Sequence, residues 1–216
     1  MNTASDSWAV IVDVSKSRSH DDRRALQQEI QDAFGRVNEI IAARQPLAAT
    51  IGDEFQAVYS TLGAATRATL IARLCLPEGV DCRFGIGRGE VATIGTGVAG
   101  LVQDGSAWWS AREAIDEARR HEYSKLGFVR TWFRAASEAA TPDEALVNAY
   151  LLARDHIVGS MNPRARRLLL GHLLGATQGE LAEQEGITQS AVSQNLNRNG
   201  ANALLASEAL MLEVEG

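Results

Sequence analysis

Cysteine is scarce in this chain, which contains only Cys75 and Cys82 among its 216 residues. They lie near an apparent helix end and in an apparent strand, where a cysteine more often acts as a small buried hydrophobic residue than as half of a disulfide. No group of cysteines and histidines has the spacing of a zinc site. Neither a disulfide scaffold nor a zinc-binding fold is therefore expected.

Long apolar runs are also missing. No stretch approaches the length of a membrane-spanning helix, and the first seven residues lack the basic start and apolar core of a signal peptide. We therefore expect a cytoplasmic protein that makes no contact with a membrane.

An excess of basic residues is absent as well. The 21 lysines and arginines are outnumbered by 27 aspartates and glutamates, which gives a net charge of -6. This charge argues against indiscriminate binding to polyanions, although a local basic face can still exist. The composition, 45% hydrophobic and 22% charged, is ordinary for a globular protein, and the length fits one large domain or two small ones.

The most informative stretch is residues 48–59, which predicts two strands joined by a tight turn at Gly52 and Asp53. The tip of this hairpin holds two carboxylates, Asp53 and Glu54. Carboxylate oxygens suit Mg²⁺, which usually leaves substrate phosphates to complete its coordination. Aspartate is also favoured in turns for backbone reasons alone, so this stretch by itself leaves both interpretations open.

A second polar position is Asp13, near the end of the apolar run at residues 8–14. This run predicts a buried strand. The polar and basic residues 15–20 come next, and helical spacing predicts a helix over residues 22–44. Free backbone N–H groups at the start of a helix can bind an anion. A solvated helix cap is the alternative, and the missing glycines exclude a Walker loop.

The later elements complete a recognisable order. The sequence predicts a helix at 62–76, a strand at 81–91, a glycine-rich loop or flap at 93–105, a helix at 108–122 and a strand at 127–133. Two split βαβ units predict a ferredoxin-like antiparallel sheet with helices on one face. Because the first and third strands of such a sheet are neighbours, Asp13 and Asp53 are expected to meet beside the basic loop.

The strand at 81–91 has an unusual pattern, with Gly85, Gly87 and Gly89 at every second position. Glycine weakens a strand and often marks the close approach of another backbone or of a ligand. No helix is predicted directly after it, so the pattern is not a dinucleotide-binding fingerprint.

Three stretches, residues 13–17, 51–55 and 83–91, together resemble the core of class III nucleotidyl cyclases, which is shared in outline with GGDEF diguanylate cyclases. The resemblance covers residues 8–133, and the whole pattern, including the tail, is similar to the SatD family. It implies that Asp13 and Asp53 bind metal, with Mg²⁺ as the cofactor. The nucleotide-binding residues that it implies are Ser15, Lys16, Ser17, Arg18, Gly52 and Glu54.

One departure from the cyclase pattern matters. Cyclases carry an asparagine and an arginine on the helix after the glycine-rich loop, whereas here Trp109 stands at the asparagine position and Arg112 is out of register by one. Such groups stabilise transition-state charge, so we expect binding of a nucleotide with little or no cyclase activity. Trp108 and Trp109 are expected to fill the core or a dimer interface, with base stacking as the alternative.

The tail carries a second signature. After a linker at 134–140, a capping box at residues 141–144, with Pro142 at the first helical position, predicts a helix that Gly159 stops. Another helix is predicted at 163–174. Ala182, Gly186 and Val192 then have the spacing of a helix-turn-helix. A helix pair used for packing or dimerisation is the alternative.

The second helix of this pair presents short polar side chains, which suit base edges and phosphates. The predicted DNA-binding residues are Thr188, Gln189, Ser190, Ser193, Gln194, Asn197 and Arg198. The tail contains more glutamates than arginines, and phosphate neutralisation dominates affinity for DNA. Useful binding is therefore expected to require a homodimer.

These observations predict an α+β chain. A ferredoxin-like, cyclase-like domain occupies residues 1–135, and an all-α part with a linker helix and a helix-turn-helix occupies residues 136–216. The predicted function is a DNA-binding transcriptional regulator that senses a nucleotide or a nucleotide-derived ligand with Mg²⁺. The alternatives are an active nucleotidyl cyclase or related transferase that uses two metal ions, and a protein–protein adaptor.

Overall fold

The computed structural model describes residues 6–15, 23–50, 53–97, 100–136 and 144–214. The first part of these ranges contains both strands and helices, and the last part is entirely helical. In chain order the elements are β1 (Ser7–Ser15), α1 (Arg23–Ile40), β2 (Gln45–Ala49), β3 (Glu54–Tyr59), α2 (Leu62–Cys75), β4 (Asp81–Gly89), β5 (Ala92–Gly97), β6 (Gly100–Asp104), α3 (Ser106–Glu122), β7 (Thr131–Ala135), α4 (Glu144–Ser160), α5 (Pro163–Leu173), α6 (Gln178–Glu185), α7 (Gln189–Arg198) and α8 (Ala201–Glu213).

The main sheet has the strand order β2-β3-β1-β4-β7. β1 pairs antiparallel with both β3 and β4, and β2 pairs antiparallel with β3. The order of the first four strands is the one that two split βαβ units give, as the sequence predicts. β7 runs parallel to β4, so the sheet is mixed and the prediction of a purely antiparallel sheet is wrong. The long connection through α3 makes this parallel pairing possible.

Helices cover both faces of this sheet, so the prediction of helices on one face is also wrong. Successive residues of β1 point to opposite faces. Val10 and Val12 lie in the larger core with the apolar residues of α1 and α2. Ala9 and Ile11 lie in a smaller cluster with Ala111 and other residues of α3. The continuous apolar run of β1 is typical of a strand that is buried on both faces.

The alternating glycines of β4 face α3. A Cβ atom added at Gly85 would lie 2.3 Å from the carbonyl oxygen of Ala111, and one at Gly87 would lie 2.1 Å from that of Ala107. No side chain fits at these distances, so the glycines allow the helix to pack directly on the strand. The close approach that this pattern predicts is therefore made by a helix backbone.

The glycine-rich stretch at 93–105, predicted as a loop or flap, contains a separate two-stranded sheet. β5 and β6 pair antiparallel, with Ala92 opposite Asp104 and Gly97 opposite Gly100. Residues 98–99, between the two strands, lie outside the described ranges. The prediction failed because glycines interrupt the alternation by which a strand is recognised.

The helices of the tail form a second core that includes α2. Leu70 and Leu74 of α2 are buried together with Leu168 of α5, Leu196 of α7 and Leu204 of α8. One helix of the first part therefore supplies apolar side chains to both cores. The predicted boundary at residues 135/136 stays a prediction.

Two smaller predictions of the tail have different outcomes. α4 continues through Gly159 to Ser160, so the predicted stop at Gly159 is wrong. Of the predicted capping box at 141–144, residues 141–143 lie outside the described residues and Glu144 is the first residue of α4. The next helix, α5, begins with Pro163 after Asn162, whose side chain accepts a hydrogen bond from the backbone N–H of Ala165.

The expectations about the cysteines and about membrane-spanning helices can also be compared with the structure. Cys75 is half-buried, Cys82 is buried, and both are free thiols. Across the ranges that the structure describes, no helix combines the length and the apolar character needed to span a bilayer.

Candidate functional site

The end of β1 brings together the polar residues that the sequence singled out. Asp13 pairs with Glu54 of β3 on one side and with Arg83 of β4 on the other. β1 and β3 are thus neighbours, as predicted, but the residue opposite Asp13 is Glu54. Asp53 lies one position earlier, in the turn, and is exposed. All three paired side chains lie on the face of the sheet that α3 covers.

The carboxylate of Asp13 is held by two arginines. Its Oδ2 atom accepts a hydrogen bond of 2.9 Å from Nη2 of Arg83 and another of 2.8 Å from Nη2 of Arg119 on α3. The hydrogen bond from Arg119 to Asp13 raises the pKa of this guanidinium further above its usual value, against the opposing effect of burial. Asp13, two residues before the end of β1, is therefore ion-paired and only partly exposed.

Glu54 is held in a similar way by another arginine of α3. The guanidinium of Arg112 donates hydrogen bonds of 2.6 and 3.0 Å to the two carboxylate oxygens. The hydrogen bond to Glu54 is the main cause of a raised pKa of Arg112. A two-pronged contact of this kind fixes orientation as well as charge. Arg112, which is out of register with the cyclase arginine, thus binds a carboxylate of its own chain.

A cavity of about 360 Å³ lies beside Ser15 at the same end of the sheet. Its lining residues are Ser15, Arg83, Glu122, Tyr123, Gly127 and Arg130. The hydroxyl of Ser15 donates to Glu122 over 2.8 Å, and Glu122 also pairs with Arg83. Nε of Arg83 is buried and makes no hydrogen bond within the described part of the chain. The ring of Tyr123 is 84% exposed at the rim.

Several residues predicted to bind the nucleotide cannot be placed at this cavity. Lys16, Ser17, Arg18 and Gly52 lie outside the described residues. Of the predicted set, the structure therefore places Ser15 at the cavity and Glu54 on the neighbouring strand. The arginines that hold Asp13 and Glu54 were not predicted.

The fit of a Mg²⁺ ion can be judged from the carboxylates present. Mg²⁺ takes carboxylate oxygens as ligands, and here Asp13 and Glu54 are engaged by guanidinium groups. Among the described residues, no group of three or more acidic, histidine or cysteine side chains is arranged to hold a metal. These residues therefore do not fit a metal ion in their present arrangement, and Mg²⁺ at Asp13 and Asp53 stays a prediction.

The two adjacent tryptophans of α3 have different environments. Trp108 is 9% exposed and packs with the cluster between α3 and the sheet, as expected for a core residue. Trp109 is 62% exposed, and its indole Nε1 donates a hydrogen bond of 3.0 Å to Asp104. The predicted dimer interface at Trp109 stays a prediction.

A second candidate site is formed by α6, α7 and the turn between them. Thr177 and Glu180 form a capping box at the start of α6, and Gly186 ends it in the left-handed conformation, with φ 64° and ψ 38°. Thr188 caps α7 by accepting a hydrogen bond from the backbone of Ala191. Left-handed geometry favours glycine, which accounts for Gly186 at the turn.

The positions that suggested the helix pair have the predicted environments. Ala182 of α6 and Val192 of α7 are buried, and Leu196 is buried one turn after Val192. The opposite side of α7 is polar. Its exposed residues, together with the exposed cap Thr188, are Gln189, Ser190, Gln194, Asn197 and Arg198, while Ser193 is half-buried. A helix-turn-helix DNA-binding domain stays a prediction.

The arginines of α5 are partly neutralised next to this surface. Arg167 donates hydrogen bonds of 2.6 and 2.8 Å to Glu185 at the end of α6, and Nε of Arg164 lies 3.4 Å from the same carboxylate. Arg167 is the main cause of the lowered pKa of Glu185. Positive charge for contacts with DNA phosphates therefore has to come mainly from other residues on the surface.

Sequence reasoning missed a buried ionic network that joins α2, α4 and β7. Asp155 is fully buried, accepts backbone hydrogen bonds of 2.7 and 2.6 Å from Arg130 and Thr131, and pairs with Arg73 and Arg154. The available signal was the Arg154-Asp155 pair inside an otherwise apolar helix, because charges are rarely buried unless they are paired.

Comparisons with known proteins place these observations in context. The sequence model described as the SatD family matches residues 7–211. A solved structure described as a bacterial light-regulated adenylyl cyclase is similar, with a TM-score of 0.45 and 16% identity over 55% of this chain. The match spans 41% of that structure's chain, and at this score it supports no statement about activity or ligand. The comparison with curated proteins found no match.

Proposed function

This chain belongs to the SatD family, and from its geometry we propose that it is a DNA-binding transcriptional regulator whose α+β part binds a nucleotide-class ligand. The observation that carries the proposal is the exposed polar side of α7, held by a tight glycine turn against α6. We infer that α7 enters the major groove and contacts base edges.

The side chains of α7 divide between two kinds of contact. Gln189 and Gln194 are exposed amides that can donate to and accept from a base edge, the chemistry that distinguishes adenine from the other bases. We expect Arg198, at the end of the helix, to approach a phosphate. Phosphate contacts position a protein on DNA, whereas base contacts give it sequence specificity.

The charge of the chain supports a homodimer in this proposal. A net charge of -6 and the pairing of Glu185 with two arginines leave little positive charge near α7. A single copy would therefore bind DNA weakly. Two copies would place two α7 helices in half-sites about one helical turn apart, so the target is expected to have two-fold symmetry.

Three features support a nucleotide at the cavity beside Ser15. Arg83 and Arg130 line the cavity and offer guanidinium groups to phosphates, and the exposed ring of Tyr123 offers a surface for a base. Both arginines are paired with acidic side chains, so a phosphate would have to replace a carboxylate. Mg²⁺ is a predicted companion of the nucleotide, and no part of the proposal depends on it.

The DNA-binding proposal is tested by selection from random duplexes followed by titration. We expect a two-fold-symmetric sequence to be enriched. Gln189→Ala should remove about 1–3 kcal/mol of discrimination at one base pair of each half-site. Arg198→Ala should weaken binding to all duplexes alike and reduce the slope of the salt dependence by about one.

Gln28→Ala, an exposed glutamine on α1, is the matched control and should bind as wild type does. If no sequence is enriched and Gln189→Ala binds duplex DNA as the wild type does, then α6 and α7 serve packing or assembly. A thermal-shift screen of nucleotides, with and without Mg²⁺, tests the ligand independently of DNA, because a bound ligand stabilises the folded state.

A further inference from the structure

A larger cavity lies away from the sites described above, where the first part of the chain meets the tail helices. It has a volume of about 460 Å³ and lies between α1, the end of α2 with the turn after it, and α5. Its lining residues are Arg36, Leu74, Cys75, Leu76, Glu78, Gly79, Met161, Pro163, Arg166, Arg167 and Leu170. This volume lies in the range of small-molecule sites.

Two arginines of this cavity make no ion pair with the described residues, although the charges of Asp81 and Glu78 act on one of them, Arg166. Arg36 projects from α1 and Arg166 from α5, and neither guanidinium makes a hydrogen bond or an ion pair with any residue in the described ranges. Elsewhere in the described part of the fold, most arginines contact a carboxylate. Glu78 is the acidic residue in the lining, and it faces three arginines there.

Arg166 is the less exposed of the two. Burial, and then the nearby charge of Arg73, lowers the pKa of Arg166 from its usual value. Arg73 cannot relieve this repulsion, because its own guanidinium is committed to Asp81 and Asp155. Arginine does not lose its proton in proteins, so the cavity retains an excess of positive charge. An anion that enters would reduce this repulsion.

The rest of the wall is apolar. Leu76 and Met161 are buried side chains that border the cavity, and Leu170 lies half-buried opposite the turn at Gly79. An apolar wall with a few convergent charged groups is the usual form of a small-molecule site. Its arginines suit phosphate, which accepts two parallel hydrogen bonds from one guanidinium.

We propose that this cavity binds a small molecule that carries a phosphate group on an apolar body. The phosphate lies between Arg36 and Arg166, and the apolar part packs on Leu76, Met161 and Leu170. This is a binding site separate from the nucleotide cavity at Ser15, and it stands whether or not the chain binds DNA.

One residue that lines this cavity also contacts α6, the helix that precedes α7. Arg167 lines the cavity, yet its guanidinium donates to Glu185 at the end of α6. A phosphate in the cavity therefore competes with Glu185 for Arg167. Occupation of the cavity would weaken the ion pair between Arg167 of α5 and Glu185 of α6. The ligand could thereby change the position of α6 and α7 relative to α5.

Calorimetric titration of the full chain with phenyl phosphate, in the absence of DNA, tests the binding. We expect saturable binding that is tighter than that of inorganic phosphate, because only the ester also uses the apolar wall. Arg36→Gln and Arg166→Gln should each weaken it by about tenfold or more. Arg36 is exposed on α1, so its variant tests the site even if Arg166→Gln is poorly folded.

Arg120→Gln is the matched control, because it removes an exposed arginine of α3 whose ion-pair partner in the described part of the chain is Glu117, away from this cavity. It should bind phenyl phosphate as wild type does. Glu185→Gln should have the opposite effect and bind several-fold more tightly, since it frees Arg167. The proposal is overturned if the wild type does not bind saturably at millimolar phenyl phosphate, or if Arg36→Gln and Arg166→Gln both bind as the wild type does.

Discussion

Asp13 illustrates how the surroundings of a single residue limit its chemistry. A carboxylate at the end of a strand is free to bind a cation only if no guanidinium already holds it, and here Arg83 and Arg119 donate to the same oxygen. Arg83 is fixed by its place on β4, but Arg119 is half-exposed on α3 and can move away. Any metal at Asp13 would therefore compete with Arg119.

This competition gives a prediction about Mg²⁺-dependent binding of a nucleotide. If Asp53 is the ligand that the sequence predicts, Asp53→Asn should weaken it by about tenfold, because the site would lose a carboxylate oxygen. Arg119→Gln should strengthen it, because Asp13 then keeps one guanidinium partner, Arg83, in place of two. Isothermal titration with and without Mg²⁺ measures both effects. Equal binding by wild type and Asp53→Asn would mean that the hairpin carboxylate has only a turn-forming role.

Asp81 gives a prediction about pH. Burial by itself would raise the pKa of Asp81, but the hydrogen bonds and charges of Arg73 and Arg130 lower it below the usual value. A carboxyl group with a lowered pKa in the folded state contributes stability above its unfolded pKa, and this contribution is lost as the pH falls. The free energy of unfolding should therefore decrease below about pH 5 as Asp81 becomes protonated.

The measurement is urea unfolding at several pH values. Asp81→Asn should be less stable than wild type by roughly 1–3 kcal/mol at pH 7, and the difference should shrink as the pH falls towards 2. Asp32→Asn, on the exposed side of α1, controls for the loss of one charge. A difference that stays constant down to pH 2 would assign the effect to packing.

At the scale of elements, the packing of α3 on β4 depends on glycines with no room for a side chain. A Cβ atom at Gly87 would meet the backbone of α3, whereas one at Gly35, inside α1, would meet no atom within 4 Å. Gly87→Ala should therefore destabilise the protein by about 3 kcal/mol or more, because a helix backbone cannot yield as a side chain can.

Gly35→Ala is the matched substitution and should stabilise the protein by about 0.5–1 kcal/mol, since alanine loses less conformational freedom in a helix. Thermal or urea unfolding of the two variants checks the pair. Similar stability of Gly87→Ala and wild type would show that α3 is not held as closely as the distances indicate.

The elements differ in how far the sequence predicted them. The first four strands of the main sheet and the turn at Gly186 follow from local signals, which are apolar runs and a residue that tolerates a left-handed backbone. The β5–β6 hairpin and the pairing of β7 with β4 do not follow from such local signals. Pairing between distant strands depends on tertiary contacts, and glycines such as Gly95 and Gly97 remove the side-chain pattern.

The site was predictable to a similar degree. The strand order predicted from two split βαβ units placed Asp13 next to the hairpin carboxylates, of which Glu54 is its partner. The partners Arg112 and Arg119 could not be predicted, because they depend on which face of the sheet α3 covers. The arginines of the cavity between α1, α2 and α5 belong to α1 and α5, which are far apart in sequence, so their approach depends on tertiary packing.

At the scale of the whole molecule, the two cores are joined through α2. Leu62 and Ile71 belong to the core under the sheet, and Leu70 and Leu74 belong to the core of the tail helices. The buried pairs of Arg73 and Arg154 with Asp155 add a second connection. Loss of either core would leave charged and apolar groups of α2 exposed, so we expect the chain to unfold as one unit.

The tryptophans make this expectation testable. All four, Trp8, Trp108, Trp109 and Trp132, precede the tail helices, so their fluorescence reports on the first part and far-ultraviolet circular dichroism reports strongly on the tail. In urea the two signals should give the same transition. Leu168→Ala, in the second core, should destabilise by about 2–5 kcal/mol and move both curves together. Two separated midpoints would contradict a shared unit.

The position of α2 also has a consequence for how the protein is made. On the ribosome α2 emerges before the helices that cover Leu70 and Leu74, and α8 approaches Gly63 through Met211 and Leu212. Until these helices have emerged, this apolar strip lacks the side chains that it packs against. Nascent chains that stop before α8 would thus expose an apolar surface of the kind that chaperones and proteases recognise.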